Sequence, residues 1–232
     1  MDNDSWIIQP DSDAQPDDLN HDDLLQAGDH NPERKFEDAL DALTGDSDVL
    51  HADVVYGLTD LTTEQLKTFH EVWNGLTTQR RHKLIQRLTE TSETNFEFNF
   101  DEILYIALND DSELIRQTAA EGVLENSPHK LIKRLLIVAQ EDTFSSVRAA
   151  AVKSLGQFVL AGELGDLPER LTGQIQDTVL ALYHNLNEDT DVRRRALEAI
   201  SNCSLDGVNE LIREAYYSDD EPMRISAVFA MG

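Results

Sequence analysis

The sequence predicts an all-α protein, an α-α superhelix of stacked helix pairs behind a disordered acidic N-terminal arm. Three observations predict it. Apolar residues recur at helical spacing almost without break beyond residue 58, an acidic turn followed by an arginine recurs four times, and acidic residues crowd the first quarter of the chain. The 232 residues carry 19 Lys+Arg against 45 Asp+Glu, a formal charge of −26. That balance disfavours nucleic acid and anionic membranes as partners, since a phosphate surface has to be met by a basic one. Forty per cent hydrophobic residues suffice for a core in one or two domains.

Residues 1–58 hold 16 acidic residues and two basic ones, Arg34 and Lys35. Pro10, Pro16, Pro32, Gly28 and Gly45 interrupt the stretch, and its few apolar side chains cannot offset the entropy of ordering. It reads as an arm with one structured insert. Phe36, Ala39, Leu40 and Leu43 fall at i, i+3, i+4 and i+7, which predicts a short amphipathic helix near 33–44 with Asn31 as N-cap and Gly45 as stop. So short a helix forms fully only when docked. Its apolar stripe, Phe36, Leu40 and Leu43, is a candidate contact for the protein's own repeat domain or for a partner. Trp6-Ile7-Ile8 is a weaker apolar patch of the same sort.

Residues 59–232 form the predicted repeat domain. Thr63–Trp73 and Thr78–Thr89 read as a leading helical hairpin, capped by Thr62 or Thr63 and by Thr77. Leu66, Phe69, His70 and Trp73 share one face, which makes His70 a hydrogen-bonded core residue rather than a ligand. Asn95–Phe100 alternates like a strand but has nothing to pair with, so it is expected to be an extended connector with Phe96, Phe98 and Phe100 plugging a gap between helices.

The remainder aligns on Arg116, Arg148, Arg193 and Arg224, spaced by 32, 45 and 31 residues. Each follows an acidic pair. The residue before it is apolar (Ile115, Val147, Val192, Met223) and the third after it is alanine (Ala119, Ala151, Ala196, Ala227). The fourth and seventh after it are small or apolar, so a wide helical face is buried. A second apolar helix precedes each turn, with faces such as Leu131, Leu135, Leu136 and Ala139. The long interval is explained by an insertion around Ala161–Pro168.

This unit resembles the HEAT or HEAT-like repeat family, including its phycobilisome-lyase type, over residues 99–232, with 61–94 fitting as a degenerate leading repeat. The resemblance implies a ladder in which turn acids cap the second helices and the arginines bind turn carbonyls or the acid of the adjacent repeat. It also implies that the first, second and fifth residues after each arginine face the concave side. Lys153, Arg194 and Arg195 would then form a basic spot beside Phe229, suited to an acidic peptide or simply balancing Glu121 and Glu198.

Sequence motifs for chemistry are lacking. His70-Glu71 has no second histidine at position 74, and no phosphate loop, nucleophile elbow or Cys-x-x-Cys pair occurs. Cys203 is the one cysteine and reads as a core filler. The expectations are therefore no enzyme, no cofactor, no metal, and a cytoplasmic scaffold or adaptor that binds another protein. Two alternatives stand beside it: a tetrapyrrole-handling protein like the phycobilisome lyases, on fold analogy, and an acidic regulator of a basic partner. The apolar last segment, Ile225–Gly232, leads to the expectation that further repeats follow or that another molecule covers that edge.

Overall fold

A computed structural model describes residues 32–45, 47 and 49–232. Disorder in residues 1–31 and the Trp6–Ile8 patch lie outside the described residues. Twelve helices, and no strands, occur among those described: α1 (Pro32–Thr44), α2 (Ala52–Leu58), α3 (Thr63–Gly75), α4 (Thr78–Thr94), α5 (Asp101–Ala107), α6 (Glu113–Glu121), α7 (His129–Glu141), α8 (Ser145–Leu164), α9 (Glu169–His184), α10 (Thr190–Ile200), α11 (Val208–Tyr216) and α12 (Glu221–Ala230). From α3 onward they pair into five layers, each a first helix, a tight turn and a second helix. From α3 onward the described residues form an all-α superhelical solenoid.

Local chemistry sets the helix starts. Thr62 and Gln65 form a capping box on α3, and Thr77 Oγ1 accepts from Arg80 N at 3.2 Å on α4. Asp189 and Asp220 cap α10 and α12 through Asp191 N and Met223 N. The 20-residue α8 ends at Gly165, whose φ of +84° is the left-handed stop that a glycine adopts without strain. This long helix and the loop after it absorb the insertion.

The second helices α4, α6, α8, α10 and α12 pack closely side by side, whereas the first helices hardly meet their counterparts. Small residues permit the close side. Ala119, Ala151, Ala196 and Ala227 are fully buried, and a Cβ on Gly156 would stand 3.3 Å from the Ala199 Cα. A stack closer on one side curves toward it, so the second helices line the concave wall.

Three sequence expectations change. Ordered structure begins well before residue 58: α2 lies inside the stretch read as the arm, and Val54, Val55 and Leu58 join Phe36, Ala39 and Leu43 in the core. His70 is exposed, with Asn74 Nδ2 at 3.3 Å, because the buried face of α3 is centred on Phe69 and Trp73. Phe96 is 82% exposed, while Phe98 and Phe100 stack at 5.9 Å and fill the gap alone, with Tyr56 edge-on to Phe98 at 5.1 Å.

α1 lies on α2 so closely that a Cβ on Gly57 would stand 2.2 Å from the Lys35 carbonyl oxygen and 2.5 Å from the Ala39 Cβ. Arg80 fixes the other end of α1, donating to the carbonyls of Ala42 (2.6 Å), Leu43 (3.2 Å) and Ser47 (2.6 Å). The Ala42 and Leu43 carbonyls belong to the helix end that lacks internal donors, and Ser47 lies in the loop after it. Gly57→Ala is expected to cost about 1–3 kcal/mol by overpacking. Hydrogen exchange should then show lost protection over residues 36–43 and no change in α9 and α10.

Candidate functional site

The turns between first and second helices hold a ladder. Arg116 Nε and Nη2 clasp both oxygens of Asp142, one layer on, at 2.6 and 3.0 Å, while Nη1 binds the Asp110 and Asp111 carbonyls at 2.8 and 3.1 Å. Arg148 repeats the arrangement with Glu188 (3.1 and 2.5 Å) and the Asp142 carbonyl (2.6 Å). The rung before them belongs to Arg81, which sequence alignment missed because threonines replace its acidic pair. Arg81 Nη1 reaches Asp110 Oδ2 at 2.8 Å and Nη2 reaches Asp111 Oδ1 at 3.1 Å, and Trp73 Nε1 donates to the same Asp110 oxygen at 2.9 Å. Leu84, Ile85 and Leu88 follow Arg81 at the repeat's spacing and could have revealed it. Arg193 departs from the pattern: its Nε donates to the Tyr183 carbonyl at 3.1 Å and its guanidinium sits over the Tyr183 ring.

Electrostatics follow this geometry. Burial alone would raise the Asp142 carboxyl, but the Arg116 fork, the Phe144 N–H and the Arg148 charge outweigh it and hold the group below its ordinary value. Glu188 behaves alike, burial being outweighed by Arg148 and the Asp189 N–H. A carboxylate with a folded pKa below its unfolded one stabilises the fold above the unfolded value, and the benefit is lost as pH falls through the folded value. At Asp110 burial wins over the Ser112 N–H, Arg81 and Trp73, and the carboxyl ends above its ordinary value.

On the concave wall, Lys153 is exposed and holds no ion-pair partner among the described residues. Arg194 pairs with Asp191 and, at 3.5 Å, with Glu198; Arg195 reaches Glu198 at 2.6 Å. The basic spot is thus largely neutralised by its own helix. Ser226 Oγ donates to Glu198 Oε1 at 2.5 Å, joining α12 to α10, and Phe229 stands 71% exposed on α12. The α1 candidates fall elsewhere: Phe36 and Leu43 are buried and Leu40 half-buried, at the opposite end of the stack.

Sequence reading also missed a recess of about 660 Å³ between the first helices α3, α5 and α7. Trp73, Asp110 and Arg81 contribute to its lining, and Lys130 lies 4.2 Å from the Tyr105 ring centroid and 2.9 Å from Glu102. Each of these charges is partnered within the protein. Among the described residues no group of His, Cys, Asp and Glu is arranged to hold a metal ion, and no helix is long and apolar enough to cross a membrane. Cys203 is buried and donates to the Ile200 carbonyl; burial pushes its thiol up, away from reactivity.

Among solved structures, a designed armadillo repeat protein matches with a TM-score of 0.50 at 14% identity, over 84% of this chain and 98% of that one. A crystal structure of an engineered protein matches with a TM-score of 0.49 at 17% identity, over 84% and 96% of the two chains. No family model and no curated protein matches the chain. The designed armadillo protein supports the fold, a helical-repeat solenoid.

Arg116→Met would leave Asp142, whose side chain is 6% exposed, without its cation. The expected loss is about 3 kcal/mol at neutral pH. In urea melts the loss should shrink as pH falls through the carboxylate range, because Asp142 takes up a proton in the variant at a higher pH than in the parent, where Arg116 holds its carboxyl down.

Proposed function

We propose that the chain is a non-catalytic protein-binding scaffold of the HEAT-like type, whose recognition surface is the concave wall of α8, α10 and α12. The observation that carries this reading is the continuity of that wall. Lys153, Glu198 and Phe229 stand five residues after the arginines of successive second helices, Arg194 and Arg195 one and two after theirs, and the bond from Ser226 to Glu198 joins α12 to α10 among these positions. The surface combines a lysine without an ion-pair partner among the described residues, arginines largely neutralised by Asp191 and Glu198, and an exposed aromatic ring. An acidic polypeptide with an apolar anchor suits it, the ring supplying buried area and the cations orientation. Arg81, Arg116 and Arg148, with the acids they hold, are occupied in the ladder and lie outside this surface.

The test is affinity capture with the intact chain and with a Lys153→Glu/Phe229→Ser variant, both substitutions being exposed and outside the ladder. The variant should melt with the parent and bind the captured partner at least about tenfold more weakly, the loss of one modest hot spot. Equal capture by both proteins would show that the wall is not the binding surface.

A further inference from the structure

α8 outruns the second helices on either side of it. Its register against α6 is set by Ser154 Oγ, which donates to the Ala120 carbonyl at 2.7 Å, and by Gln157 Nε2, which donates to the Val123 carbonyl at 2.6 Å. α6 ends at Glu121 whereas α8 continues to Leu164, so about two turns of α8 overhang the helix before it. α10 ends at Ile200, and past that end Ser204 donates to the Glu163 carboxylate from its hydroxyl and its backbone N–H, tying the following loop to the overhang. On the inner side Phe158 and Val159 are buried, and a Cβ on Gly162 would stand 2.4 Å from Thr172 Cγ2, which sets α9 directly against the helix. The overhang is held on two sides and open on a third.

The open side is apolar. Leu160 is 44% and Leu164 68% exposed, one turn apart on the stripe of α8 that also holds Lys153. Leu205, 38% exposed, follows Ser204 and is carried to the same end of the helix. A repeat added after α12 would stack on α12, with α10 between it and α8, so this exposure belongs to the middle of the stack and is independent of its ends. Lys153 lies seven residues before Leu160, about 10 Å along the axis. It is exposed and has no ion-pair partner among the described residues. At the other end of the stripe Asp166 is exposed.

We propose that this stripe of α8 seats an amphipathic helix of a partner protein, with two large apolar residues three or four apart on Leu160, Leu164 and Leu205 and an acidic residue about two turns away on Lys153. The proposal rests on the concave wall being a recognition surface and gives that surface its apolar anchor. Packing selects a helix as the occupant, because leucines four apart form a ridge beside which the ridge of a second helix fits. Charge complementarity places the acid: Lys153 attracts it at one end and Asp166 repels it from the other. Residues 1–31 of the chain are acidic as well, but no two large apolar residues among them stand three or four apart, so they do not supply such a face.

The test selects a displayed library of helices of about 20 residues, with a fixed apolar stripe and randomised charges, against the full chain. Enriched helices should carry an acid about two turns from their apolar pair. They should bind a Leu160→Gln/Leu164→Gln variant at least about tenfold more weakly than the parent, and Lys153→Glu about threefold more weakly. Both leucines are exposed, so the variant should melt with the parent; if it does not, Leu164→Gln alone carries the test. Helices that lose affinity for the Lys153→Glu/Phe229→Ser variant but keep it for the leucine variant would overturn this proposal and leave the wall reading standing. Helices that bind all of these proteins equally would overturn both. Enrichment of basic helices, or no enrichment, would overturn the proposal alone.

Discussion

Register between the second, third and fourth layers depends on a bidentate contact between an arginine on one second helix and a carboxylate in the turn of the next layer. The carboxylate serves twice. Asp142 receives the Arg116 fork and also accepts from Phe144 N at the start of α8; Glu188 receives Arg148 and accepts from Asp189 N. A single residue thus fixes where its own second helix begins and how far the previous layer lies. Taking these charges out of water is costly unless their donors and acceptors are met, and the Arg116 and Arg148 rungs meet that condition through fork, carbonyl and amide together, whereas Arg81 leaves its buried Nε without a partner. A contact of this kind specifies one arrangement more than it deepens the free energy of folding.

Packing on the concave side supplies the complementary constraint. Alanines and Gly156 on the second helices let backbones approach, while the bulkier Leu and Ile faces of the first helices pack inward and leave their outer sides splayed. The curvature follows from that asymmetry. At the leading end α1 and α2 continue the core, with Arg80 holding the carbonyls of α1 much as the ladder arginines hold their turns. At the far end α12 leaves its outer half uncovered.

Much of this was legible in the sequence because a buried face repeats when its environment repeats. The four aligned arginines, the alanine three residues after each and the capping threonines of α3 and α4 all appear where spacing placed them. What escaped notice did so for physical reasons. α2 spans seven residues, too few to display a helical period, so an ordered segment was assigned to the arm. Arg81 has threonines before it because an acid in a turn serves the arginine of the preceding layer, and among the described residues no such arginine reaches this turn. Arg193 keeps the sequence signature while its guanidinium is drawn to Tyr183, a long-range contact that no local pattern encodes. On the concave wall the pairing of Arg194 and Arg195 with Asp191 and Glu198 follows from three- and four-residue spacing, yet only the coordinates show how far it screens the spot.

The claim at the centre is that the fork and the turn acid act as one unit. A double-mutant cycle on Arg148 and Glu188, using Arg148→Met, Glu188→Gln and the pair, measures this in denaturant melts. The account predicts a coupling of about 2 kcal/mol or more, well above the value for exposed ion pairs. Additive losses, with the double variant as unstable as the sum of the singles, would contradict it.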